Sequence, residues 1–188
     1  MNDYQLIEAL RSLGWNCARD EAGEVFCILG VDVAQVQILP TITRRADHWR
    51  ISFMPSVSTK EFTAAAAFIL DEDRSHVPIV ARNFAPLRVT CLASSDIAVL
   101  SGDIVSWAMS QDLKHGLDEY RRLQTSSKGS LPLHHLAALA VTGDVERLSK
   151  YKDSFNRGDR LGFVPYISEC MIDRALRWAG KGLGSALS

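Results

Sequence analysis

The stretch LRVTCLASSDIAVLSGDIVSWAMSQDLKHGLDEYRRL, residues 87–123, decides how the chain is read. Leu87-Arg88-Val89-Thr90-Cys91 has the texture of a strand. Ala93-Ser94-Ser95 leads from it into a long amphipathic helix. Ile97, Leu100, Ile104, Trp107, Ala108, Leu113, Leu117 and Tyr120 are its apolar positions. Gly102 lies inside this helix at a cost of about 1 kcal/mol relative to alanine, so a break there, with Ser101 as a fresh cap, is the alternative. The apolar phase also slips near Gln111, which turns the second half toward a different neighbour.

Upstream, the chain reads as sheet-building material. Asn2 and Gln5 form a capping-box pattern for a first helix bearing Leu6, Ile7, Leu10 and Leu13, with Gly14 placed to end it. Trp15–Arg19 and Glu24–Leu29 read as strands joined by the turn Asp20-Glu21-Ala22-Gly23. Gly30-Val31-Asp32 turns into Val33–Leu39, where Ala34, Val36 and Ile38 alternate with Gln35 and Gln37. That alternation predicts a sheet with one wet face. Pro40 marks the end of this strand or an edge position. Trp49–Met54 is the fourth strand. Ser58-Thr59-Lys60-Glu61 is a second capping box, opening a helix with Phe62, Ala65, Ala66, Ile69 and Leu70 on one face. Asp71-Glu72-Asp73-Arg74 closes it, although acid at a helix C-terminus opposes the dipole. Val77–Ala81 is a short strand before the turn into Leu87.

Downstream, Thr125-Ser126-Ser127-Lys128-Gly129-Ser130 is the linker-like segment. Three shorter helices follow it. Ser130 caps the first, with Pro132 in its opening turn. Thr142-Gly143-Asp144 turns into the second, which bears Val145, Leu148 and Tyr151. Pro165 opens the last, and the tail frays from Gly180. The expected organisation is an α+β core over 1–124, a linker over 125–130 and a helical extension over 131–188. The core is an antiparallel sheet of about five strands in the order α-β-β-β-β-α-β-β-α.

Hydrophobic residues make up 47% of the chain, enough for a packed core. Lys and Arg total 21 against 22 Asp and Glu, a net charge of −1 that gives no global pull toward nucleic acid or membrane. The four cysteines, Cys17, Cys27, Cys91 and Cys170, form no C-x-x-C pair and read as buried free thiols in a reducing compartment. No signal-like or membrane-spanning run is visible, so a cytoplasmic protein is expected.

The order helix, three or four antiparallel strands, helix, two strands, long helix resembles the type III secretion chaperone fold, which the broader YbjN-like group shares. Asp20-Glu21-Ala22-Gly23-Glu24-Val25 is similar to the acidic-glycine turn between early strands of those proteins. Leu87–Leu92 followed by Ile97–Trp107 is similar to their last strand and closing helix. The resemblance covers roughly residues 2–123. It implies a protein, often a dimer, that binds a partner polypeptide and catalyses nothing. The chain departs from those chaperones in being longer and nearly neutral.

The motifs of chemistry are mostly missing. His134 and His135 are adjacent, so on a helix they point about 100° apart and do not readily share one ion. There is no G-x-S-x-G elbow. Gly180-Lys181-Gly182-Leu183-Gly184-Ser185 has phosphate-loop residue types, but it follows a helix instead of opening one. Neither a metal, a cofactor nor a catalytic residue is expected.

Two groups mix arginine with aromatic residues, as recognition surfaces do. Arg44, Arg45, Trp49 and Arg50, on a loop and the strand after it, come nearest to a nucleic-acid patch, but without a supporting charge excess no nucleic-acid partner is expected. Arg157, Arg160, Phe163 and Tyr166 lie in the loop between the last two helices. The expected function is a non-enzymatic protein-binding module, chaperone-like or adaptor, recognising another polypeptide, with a homodimer among its expected forms. Alternatives are an immunity or antitoxin-type protein that masks one partner, a small-molecule-binding domain, or an enzyme of unrecognised type using Cys91, His134 or His135. A charged binding surface would favour the masking alternative.

Overall fold

A computed structural model describes residues 3–91 and 93–185. Asn2, the expected cap, and Leu92, the end of the stretch similar to the chaperones' last strand, lie outside the described residues. The elements run α1 (Asp3–Ser12), β1 (Asn16–Arg19), β2 (Val25–Val31), β3 (Ala34–Arg44), β4 (Trp49–Thr59), α2 (Lys60–Leu70), β5 (Val80–Ala81), β6 (Leu87–Val89), α3 (Ser94–Met109), α4 (Leu113–Arg121), α5 (Leu131–Val141), α6 (Val145–Asn156) and α7 (Glu169–Ser185). The fold is α+β, in the expected order up to α3. The sheet is antiparallel, ordered β1-β2-β3-β4-β5, with β6 also paired to β4.

The chain forms two compact units. Met1–Thr59 and Pro78–Gln111 make the first; Lys60–Val77 and Asp112–Ser188 make the second. The sheet, α1 and α3 therefore belong together, while α2 joins α4 to α7. The segment expected as a linker, residues 125–130, falls inside the second unit. It is bonded into that unit: the Thr125 hydroxyl donates to the Leu161 carbonyl, and the Gly129 carbonyl accepts from the Tyr166 hydroxyl at 2.9 Å.

In the first unit, Ala34, Val36 and Ile38 are buried while Gln35 and Gln37 are not, so β3 has the expected wet face. β3 does not stop at Pro40 but continues to Arg44. The reason is register. The Arg45 amide donates to the His48 carbonyl at 2.8 Å, so alternation turns the Pro40 main chain away from β4. β2 pairs with β3 only as far as Ile38, so nothing on that side asks for the missing N–H. β4 likewise runs through Pro55, whose carbonyl accepts from the Arg82 amide at 3.0 Å. Ser58, expected to cap α2, lies in β4 opposite Gln35.

Two cysteine expectations are corrected here. Cys17 and Cys27 are not free thiols: they are joined by a disulfide across β1 and β2, where they sit opposite each other. Cys91 and Cys170 are free but exposed, not buried.

The expected long helix is two helices. Gly102 stays within α3, and the Ser101 hydroxyl accepts from the Trp15 indole N–H at 2.8 Å instead of capping. The break comes where the phase slips: Asp112 caps α4 by accepting from the His115 amide at 2.9 Å.

In the second unit α5 is buried almost all round, from Pro132 to Ala140, and packs against α2, α4, α6 and α7. Its sequence LPLHHLAALAV has no polar face to give to solvent, which is the pattern of a central helix. Ala65 and Ala66 of α2 are fully buried and let α2 approach it closely. Arg174 of α7 offsets the acidic end of α2, donating to the Ile69 carbonyl at 2.9 Å and pairing with Asp71 at 3.3 Å. Pro165 precedes the last helix by a turn, and Gly180 lies within α7 where fraying was expected; residues 186–188 lie outside the described residues.

Candidate functional site

The first expected group sits at the end of the β3–β4 hairpin. Arg44 and Trp49 are opposite each other in the register, and the Arg44 guanidinium lies over the indole at 4.9 Å. The next positions, on the opposite face of the sheet, are Thr43, Arg50 and Arg88, side by side across β3, β4 and β6. Arg44, Arg45, Arg50 and Arg88 are all exposed. Like charges directly opposite on adjacent strands are destabilising. The nearby carboxylate is Asp47, 2.6 Å from the His48 ring. Its pKa is lowered chiefly by the hydrogen bond from His48, and Arg88 adds a smaller pull in the same direction. The result is a cationic, aromatic-backed sheet end. Arg88 was missed by the sequence reading because only the β4–β6 register brings it beside Arg50.

The second group holds its own loop together. Arg160 donates to three carbonyls, those of Val164 (3.0 Å), Pro165 (3.2 Å) and Ile167 (2.7 Å), and lies over the Phe155 ring at 5.2 Å. Arg157 donates to the Ser154 hydroxyl at 3.2 Å. Phe163 is only 4% exposed and packs edge-on against Tyr151 and Phe155. Tyr166 is half-exposed and tied to Gly129. These residues belong to the second unit, while Arg44, Arg45 and Trp49 belong to the first.

His134 and His135 are buried in α5. The His135 Nδ1–H donates to the Tyr120 carbonyl at 2.8 Å, and its Nε2 accepts from the Tyr151 hydroxyl at 3.0 Å. The His134 ring meets Phe62 and Tyr120 edge-on, and its buried Nδ1 has no hydrogen-bond partner. Neither ring is hydrogen-bonded to a carboxylate, as catalysis by these histidines would ask. Among the described residues no group of three His, Cys, Asp or Glu could hold a metal ion.

Burial lowers the pKa of His134, of His135 and, to about 4, of His76. Each is therefore neutral in the folded unit at neutral pH. Their contribution to stability is complete above the unfolded pKa of 6.5 and is lost as pH falls toward 4. The His76 share of that loss, read by urea unfolding at pH 7 and near pH 4, should be about 2–3 kcal/mol. His76→Gln should flatten part of that dependence. An unchanged pH profile in this variant would remove His76 from the account.

The sequence matches the family described as "Family of unknown function (DUF6990)" over residues 2–180, and the chain belongs to that family. No curated protein and no solved structure matches it.

Proposed function

We propose that this family member is a non-enzymatic protein-binding module, chaperone-like or adaptor, that recognises an acidic stretch of a partner polypeptide at the β3–β4 hairpin end. The observation that carries the reading is the juxtaposition of the exposed Arg50 and Arg88 on one face of the hairpin end, with Arg44 over Trp49 on the opposite face. Exposed guanidinium groups held on paired strands match carboxylates in fixed geometry, and the half-buried indole supplies an apolar anchor. Complementary charge of this kind speeds encounter and rejects wrong partners.

Affinity capture from the native lysate, followed by mass spectrometry, tests it. The wild-type chain should retain one dominant polypeptide with an acidic segment. Arg50→Glu with Arg88→Glu, on exposed positions, should lose it by at least roughly tenfold without lowering the unfolding midpoint. Equal retention by the variant would sink the reading. A charged rather than apolar surface also favours the second reading, an immunity or antitoxin-type protein that masks one partner. In that case the captured polypeptide would be active or toxic alone and silent in the complex.

Among the described residues no helix is long and apolar enough to cross a membrane. The Cys17–Cys27 bond weighs against a strongly reducing cytoplasm as the setting. Thiol alkylation in intact cells reads this directly: two modified cysteines per chain mean an oxidising compartment, four a reducing one.

A further inference from the structure

The second unit carries a pocket of about 560 Å³, within the range of small-molecule sites. It is lined by the first turn of α2 through Glu61, by the C-terminal turn of α5 through Val141 and Thr142, and by Trp178, Ala179 and Lys181 of α7. Three features set its chemistry.

The first is the carboxylate. Among the described residues the exposed Glu61 carboxylate forms no ion pair, although Lys181 lines the same pocket. The Lys181 ammonium instead lies over the Phe68 ring, 5.0 Å from its centroid.

The second is the end of α5. Its last turn contains no basic residue. The amides of Thr142, Gly143 and Asp144 turn back onto the carbonyls of Ala138, Ala140 and Leu139, which leaves the Val141 and Thr142 carbonyls without a main-chain donor. A helix end of this kind carries a partial negative charge.

The third is Trp178. It is half-buried with one side against Phe68, at 5.6 Å between centroids, and it also lines the pocket. An indole beside a carboxylate and open carbonyls is the combination that holds an ammonium or guanidinium group carried on an apolar body.

We propose that this pocket binds a small organic cation, a primary amine or guanidine, with its charge against Glu61 and the end of α5 and its apolar body against Trp178 and Ala179. No such ligand follows from the hairpin arginines, which lie in the other unit and prefer anions.

The test is calorimetric titration of the full chain with phenethylamine and with agmatine, using phenethyl alcohol and 3-phenylpropionate as neutral and anionic controls. At least one of the two cations should bind, and the controls should not. Glu61→Gln, an exposed position, should weaken binding by roughly tenfold or more with the unfolding midpoint unchanged. Trp178→Leu should weaken it while leaving the preference for cations intact. Failure of both cations to bind the wild-type chain, equal binding of either control, or undiminished affinity in Glu61→Gln would each overturn the proposal.

Discussion

Reduction of the Cys17–Cys27 disulfide should cost about 3 kcal/mol of stability and lower the thermal midpoint by roughly 6–12 °C. The bond closes a loop with a sequence separation of 10, short enough that the loss of unfolded-chain entropy is moderate. It is nevertheless well placed. β1 is a four-residue edge strand paired only to β2, and Cys17 is its single buried residue. Breaking the bond leaves two thiols in the core and a short strand held by its ladder alone. Cys17→Ser with Cys27→Ser should reproduce the reduced midpoint or fall slightly below it, since hydroxyls would be buried in place of sulfur. Cys91→Ser with Cys170→Ser, both at exposed positions, should leave it unchanged. A reductant that shifts the midpoint of the Cys17/Cys27 double variant as much as that of the wild type would show that this bond is not the cause.

The same disulfide shows what the sequence contained and what went unread. The turn Asp20–Gly23 was legible from its residues, and it fixes a register: the Asp20 amide bonds the Glu24 carbonyl at 3.0 Å. Counting three residues back from Asp20 and three forward from Glu24 reaches Cys17 and Cys27. Hairpin register therefore pairs them, whereas C-x-x-C spacing does not. The strand order and the wet face of β3 were legible for the usual reason, period-two alternation. The lengths of β3 and β4 were not, because a proline ends a strand only if its N–H is needed, and that depends on which neighbour is present. Asp112 and the phase slip at Gln111 marked the break between α3 and α4, while Gly102 was a weaker signal because helix packing absorbs about 1 kcal/mol.

The candidate site divides in the same way. Arg44, Arg45 and Trp49 are near in sequence and remain near in space because one hairpin carries them. Arg88 is invisible until the sheet is assembled. Phe163 and Arg160 have the composition of a recognition loop, but what they recognise is the loop itself and the aromatic ring of Phe155.

Phe62→Ala should be the most damaging single substitution in the second unit, at about 3–5 kcal/mol. Phe62 is fully buried, lies parallel to the Tyr120 ring at 5.9 Å and meets the His134 ring edge-on at 6.0 Å. One side chain thus joins α2 to α4 and α5. Its loss removes transfer energy and leaves a cavity that the neighbours fill poorly, since Ala65 and Ala66 already hold the α2 backbone close to α5. Phe62→Leu should recover most of the loss, because volume matters more here than the ring. The substitution also decides where α2 belongs. Read from the sequence, α2 lies in the middle of the sheet region and would be assigned to it. In the fold it packs with α5 and α7. Hydrogen exchange of Phe62→Ala should therefore quicken at amides of α2, α4 and α5. Quickening confined to β3 and β4, with α5 still protected, would return α2 to the sheet. The expected pattern would mean that the helical unit, centred on α5, includes a helix which the chain supplies before it has finished the sheet.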